Sequence, residues 1–124
     1  MKILVAEQSD SIRQALQKAV DVLGHGALTA TNIEELFELL PAHYPETALA
    51  VLDWNLPGGE GGGALEQIQE DCRYQVIPIL ILLEEEESVD AIAAYQAGAA
   101  DCLTRACTEQ DLVTRMLECL SRAA

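Results

Sequence analysis

The chain has 124 residues, half of them hydrophobic, and 21 acidic against seven basic side chains set a formal net charge of -14. That length suits one domain with one core, no apolar run nears the roughly 18 residues of a membrane-spanning helix, and the charge repels nucleic acid and anionic lipid. Met1-Lys2-Ile3-Leu4-Val5 reaches the acid Glu7 too soon for a secretory signal. A cytoplasmic domain over residues 1–124, off the membrane and not binding nucleic acid, is therefore expected.

Along the chain, two periodicities alternate. Ile3 to Ala6 is an apolar run of strand length. Ile12, Leu16, Ala19 and Leu23 repeat at helical spacing, with Ser9 or Asp10 as cap and Gly24 as stop, which predicts a helix over about 11–23. A weaker strand signal covers Ala27 to Ala30. Ile33, Leu36, Phe37 and Leu40 form a second helical stripe, capped by Thr31 or Asn32 and expected to stop at Pro41. Ala48 to Leu52 is a third strand. Gly58 to Gly63 lacks the Lys-Ser/Thr of a phosphate-cradling loop and contains an acid, so it is read as a flexible connection. Its glycines loosen the start of a third helix marked by Leu65 and Ile68. Val76 to Leu83 follows as a fourth strand. Val89, Ile92 and Ala93 give the stripe of a fourth helix ended by Gly98, and Cys102-Leu103 a short fifth strand. Leu112, Met116 and Leu120 mark a fifth helix, opened by the capping box Thr108-x-x-Asp111.

Continuous apolar strands, each followed by a helix, imply an α/β domain: a three-layer, doubly wound parallel sheet with right-handed crossovers. Ligands of such a sheet meet the carboxyl ends of its strands. There stand Glu7 and Gln8, Asp53, Leu83 and Glu84, and Thr104 and Arg105. The remaining chemistry is plain. Cys72, Cys102, Cys107 and Cys119 show no Cys-x-x-Cys pair and are read as scattered thiols in a reducing compartment. His25 and His43 are read as loop surface residues without ligand companions. The acid run Glu84 to Glu87 is read as solvated, Glu84 excepted, and as favouring the helix start that follows. Tyr95 is placed either on an exposed partner face of the fourth helix or packed locally.

Three segments carry a resemblance to one family. Lys2-Ile3-Leu4-Val5-Ala6-Glu7-Gln8 with Ser11-Ile12-Arg13 is similar to the acidic opening of receiver domains of two-component response regulators, of the chemotaxis-regulator-like kind. Val51-Leu52-Asp53-Trp54-Asn55-Leu56-Pro57 with Glu60-Gly61 resembles their phosphoacceptor segment, and Gln96-Ala97-Gly98-Ala99-Ala100-Asp101 their link from fourth helix to fifth strand. The resemblance spans essentially the whole chain and implies a (βα)5 domain with the flavodoxin-like strand order 2-1-3-4-5. It makes Asp53 the phosphoacceptor position and assigns Mg²⁺ to Glu7, Asp53 and the backbone carbonyl of Asn55.

Several helper positions depart from the family's pattern. Its second acid is Gln8 here, which removes one carboxylate and weakens any Mg²⁺ site. Its hydroxyl at the end of the fourth strand is Leu83, and Glu84 replaces a small residue where a phosphoryl group would sit. Its Lys-Pro with a cis peptide is Arg105-Ala106, for which a trans bond is expected because cis before alanine costs roughly 3 kcal/mol. Arg105 is expected to bridge Asp53 and Glu7 with its planar fork. The aromatic switch position is Cys102, too small to swing between buried and exposed.

These departures favour an atypical (pseudo-)receiver, a non-enzymatic interaction module of two-component or phosphorelay signalling with at most weak Mg²⁺. Its expected partner is a sensor kinase, a phosphotransfer or output protein, or a second copy bound through the fourth helix, fifth strand and fifth helix. The retained Asp53 and Glu7 point to the alternative, a receiver phosphorylated on Asp53 by a histidine kinase with Mg²⁺. A small enzyme or cofactor carrier on a flavodoxin-like fold has only topology behind it, without a flavin phosphate loop or the Asp-x-His-x-x-Gly of cobalamin carriers.

Overall fold

The computed structural model describes residues 1–59, 62–85 and 88–122. Its strands are β1 (Lys2–Ala6), β2 (Gly26–Ala30), β3 (Thr47–Asp53), β4 (Ile79–Leu83) and β5 (Asp101–Thr104), all parallel in the order β2-β1-β3-β4-β5. This is the flavodoxin-like α/β topology. The connections leave β1 and β3 in opposite directions, so the crevice of the sheet opens between their carboxyl ends. Glu7 and Asp53 stand at those ends.

Because successive side chains of a strand point to opposite faces, the strands feed two cores. Ile3, Val5, Val51 and Leu82 pack with Leu16 and Val20 of α1 (Asp10–Val22) and Leu112 and Met116 of α5 (Glu109–Arg122). On the other face, Leu4, Leu52 and Ile81 meet Leu36 of α2 (Ile33–His43), Ile68 of α3 (Gly63–Glu70) and Ala94 of α4 (Val89–Gln96). The helix starts follow the caps written in the sequence. Ser9 Oγ accepts from the Ile12 N–H at 3.4 Å and Asn32 Oδ1 from Glu35 N–H at 2.8 Å. Thr108 and Asp111 exchange bonds of 3.1 and 3.4 Å, the reciprocal pattern of a capping box.

The structure corrects four expectations. Pro41 lies inside α2, which ends two residues later at His43, itself helical and paired with Glu46. A proline in the last turn forfeits only one bond, and the Tyr44 N–H still reaches the Leu40 carbonyl. β4 starts at Ile79, not Val76, because a 3-10 turn at Cys72–Tyr74 and Pro78 precede it, leaving Val76 82% exposed. α4 buries Ala91 and Ala94 and exposes Val89 and Ile92, the reverse of the stripe expected from residue size. His25 is a loop residue as expected, but it is half-buried and its Nδ1 is enclosed without a partner.

The glycine-rich connection is packed where it is described, which replaces the flexible loop expected; Glu60 and Gly61 lie outside the described residues, as do Glu86 and Glu87 of the acid run. Gly62 adopts φ +81, and a Cβ there would stand 2.6 Å from the Trp54 ring. A Cβ on Gly59 would meet Ile33 Cδ1 at 2.5 Å. Close approach, rather than freedom, explains these two residues. Gly62→Ala should therefore lower stability by about 1–3 kcal/mol, whereas Gly63→Ala, with open space around its Cβ position, should raise it by about 0.5 kcal/mol. Urea unfolding followed on Trp54 fluorescence measures both.

Candidate functional site

The crevice is built around a carboxylate with no exposed surface. Glu7 leaves β1 directly into the interior and is 0% exposed. Its Oε1 accepts from Arg105 Nε at 2.8 Å, and its Oε2 from Arg105 Nη2 at 3.2 Å and the Ser9 N–H at 3.0 Å. The Arg105 backbone is held at the end of β4 by a 2.8 Å bond from its N–H to the Leu83 carbonyl. Its remaining guanidinium nitrogen, Nη1, binds Glu84. Burial pushes the Glu7 carboxyl above the ordinary glutamate range; the Ser9 N–H and the Arg105 fork pull it partly back, while the Asp53 charge adds to the rise.

Asp53 ends β3 and is equally enclosed, 1% exposed. It takes neutral donors. Oδ2 accepts from the Gln8 side-chain amide at 3.2 Å and Oδ1 from the Asn55 N–H at 3.0 Å. The same Gln8 nitrogen lies 3.5 Å from the Asn55 carbonyl oxygen. Leu83 is buried in the α2–α3–α4 core, and Glu84 is exposed and turned toward Arg105. Cys102 is buried too, and burial lifts its thiol to about 11.

The structure thus brings the strand-end residues together but pairs them differently from expectation. Arg105 bridges Glu7 and Glu84 instead of Glu7 and Asp53. The register brings Glu84 to Arg105, since Leu83 lies beside Thr104 and the residues that follow them are neighbours, while Asp53 takes its donors from Gln8 and the Asn55 N–H. Glu84 accordingly serves as a partner of Arg105. The Arg105-Ala106 peptide is trans.

Residues 3–117 match the family described as the response regulator receiver domain. This chain belongs to that family. It is 28% identical over 117 residues to the chemotaxis protein CheY1 of Helicobacter pylori, covering 94% of each chain. To the probable transcriptional regulator ycf27 of Porphyra purpurea it is 30% identical over 122 residues, which are 98% of this chain and 48% of that protein. The chain spans about half the length of the transcriptional regulators it matches. A putative response regulator from Chloroflexus aurantiacus has the same fold, with a TM-score of 0.86 at 24% identity and 98% of each chain covered.

The receiver resemblance assigns Mg²⁺ to Glu7, Asp53 and the Asn55 carbonyl. As arranged here, these donors do not fit a divalent cation. Both Glu7 oxygens are committed to Arg105 and Ser9, and amide hydrogens of Gln8 face the Asp53 and Asn55 oxygens. The orientation of that amide is set by its two acceptor neighbours, since a flipped oxygen would face two others. Among the described residues no group of three His, Cys, Asp or Glu side chains is disposed to hold a metal.

A second polar cluster lies at the start of β5 and had no signal beyond an acid opening an apolar strand. Asp101 accepts from the Tyr95 hydroxyl at 2.9 Å, its own neighbour Cys102 N–H at 2.8 Å and Arg115 Nη1 at 3.2 Å, with Arg122 at 3.7 Å. Tyr95 also accepts from the Cys102 N–H at 3.2 Å, so it packs locally and fastens α4 to β5. Burial and the Asp101 carboxylate push its phenol to about 12.

Arg105→Met removes the cation from a buried pair and should cost about 3 kcal/mol at neutral pH. An acid whose folded-state pKa is raised contributes stability below its unfolded pKa and loses it as pH rises through the folded value. Without Arg105 the Glu7 carboxyl rises further, so the deficit of Arg105→Met against wild type should shrink as pH falls toward about 4.3, the unperturbed glutamate value. Urea denaturation of both proteins across that range measures the difference.

Proposed function

We propose that this receiver is an atypical one, an interaction module in two-component or phosphorelay signalling that presents a protein-binding face without the usual phosphorylation switch at Asp53. One observation carries this reading: the chain's own side-chain donors occupy the crevice acids, Gln8 on Asp53 and Arg105 on Glu7. Leu83 supplies no hydroxyl for a phosphoryl group, and Cys102 stands at the aromatic switch position with its small side chain enclosed. The role this reading assigns is binding, and four free thiols suit a reducing compartment such as the cytoplasm.

The face assigned to the partner is α4 with its neighbours β5 and α5. Val89 and Ile92 of α4 are exposed there at 82% and 61%, and Leu117 of α5 is exposed as well. The arginines are spent internally, Arg13 on Asp10, Arg73 on Asp71, Arg105 on Glu7 and Glu84, Arg115 and Arg122 on Asp101. What remains outward, Lys2 and Lys18 apart, is acidic, which suits a basic protein surface and not nucleic acid.

The alternative, phosphorylation on Asp53 by a histidine kinase with Mg²⁺, draws on one feature: Asp53 is bound by neutral donors alone and by no arginine. The two readings separate cleanly. Under the first, wild-type protein incubated with acetyl phosphate and MgCl₂ shows no phosphoryl mass shift on the Asp53 peptide, and Asp53→Asn retains the proteins that wild type retains from a host extract. A mass shift on Asp53, or loss of those proteins by Asp53→Asn, would establish the alternative. Ile92→Ser should abolish that retention while changing stability by less than about 0.5 kcal/mol, as befits an exposed position.

A further inference from the structure

We propose that the Gln8 amide is a built-in substitute for a divalent cation, and that nitrogen in place of oxygen at this one position is what keeps the crevice free of metal. The inference rests on the reading above and names the residue responsible for it. Gln8 Nε2 stands 3.2 Å from Asp53 Oδ2 and 3.5 Å from the Asn55 carbonyl oxygen, a donor wedged between two acceptors. Octahedral Mg²⁺ with bonds of about 2.1 Å holds adjacent oxygens about 3 Å apart. The Gln8 nitrogen therefore already stands from each of the two oxygens at a distance a little above that between neighbouring ligands of such a cation. Only the element at one corner is wrong.

Exchanging that nitrogen for oxygen reverses the electrostatics without changing the shape. Gln8→Glu brings a second carboxylate within about 3 Å of Asp53, where two like charges repel unless a cation sits between them. Arg105 offers no relief, being held by Glu7 and Glu84. Gln8 lies at the exposed mouth of the crevice, so a hydrated ion reaches it from solvent. The local geometry thus places a latent cation site one atom away from the wild-type sequence.

The test is a titration of wild type, Gln8→Glu and Gln8→Ala with MgCl₂, read on Trp54 fluorescence and by urea midpoint, against KCl of matched ionic strength to remove screening. Gln8→Glu should give a saturable response at least tenfold tighter than wild type and a urea midpoint that rises with Mg²⁺, as a ligand binding only the folded state requires. Gln8→Ala should bind no tighter than wild type, because it opens the space without supplying charge. Wild-type binding within threefold of Gln8→Glu, or no magnesium response in Gln8→Glu that is folded by circular dichroism, would overturn the inference. Should Gln8→Glu not fold, Gln8→Asp is judged by the same criterion. Magnesium binding by wild type within that threefold margin would sink this inference and leave the partner experiment standing. Loss of partner by Asp53→Asn in a magnesium-silent protein would sink the interaction-module reading alone.

Discussion

Glu7 carries its charge into a place where an uncompensated carboxylate would cost several kcal/mol, and the end of the sheet is organised around its compensation. The partner comes from the end of β5, two strands beyond β3, while the nearer Arg13 spends its guanidinium on the Glu7 backbone carbonyl and on Asp10. Arg105 reaches across with a fork that an ammonium could not reproduce: two nitrogens on Glu7 and a third on Glu84. Its backbone N–H is at the same time fixed to Leu83. The result is a brace joining the ends of β1, β4 and β5 over the crevice, with β3 attached through Gln8.

Much of this was legible in the sequence, for a physical reason. A parallel sheet buried on both faces needs strands that are apolar throughout, and such runs survive any uncertainty about ends. The crevice residues followed from topology alone, since whatever ends a strand of a doubly wound sheet lines it. Pairing was not legible. Whether Arg105 takes Asp53 or Glu84 depends on the register between Leu83 and Thr104, which no single-chain pattern encodes. α4 failed differently: larger apolar residues predict the buried stripe only when there is room beneath a helix, and here alanines face the sheet while Val89 and Ile92 stand outside.

That inversion connects the two ends of the domain's chemistry. A helix buried through alanines lies close to the sheet and contributes little hydrophobic stabilisation of its own, since an alanine buries far less area than a valine or isoleucine. It is held in place by polar means. Ser88 caps its start through a 3.2 Å bond from the Ala91 N–H, and the Tyr95 hydroxyl binds Asp101 and Cys102 at its end. Polar fixing at both ends, rather than burial, thus holds α4 in place with its large apolar side chains outward.

The charge balance of the crevice also depends on fixed polar groups. Glu7, Asp53 and Arg105 sum to a single negative charge in an enclosed space, and Gln8 supplies a dipole rather than a cation. Such a site would ordinarily draw in a counter-ion. Here the remaining charge is spread over backbone donors: the Ser9 N–H at the entrance to α1 serves Glu7, and the Asn55 N–H serves Asp53. The positive end of the α1 dipole lies on the same side as Glu7 Oε2. Backbone amides cannot be exchanged or released as an ion can, so these two donors are fixed parts of the crevice, solvating its charge without cancelling it.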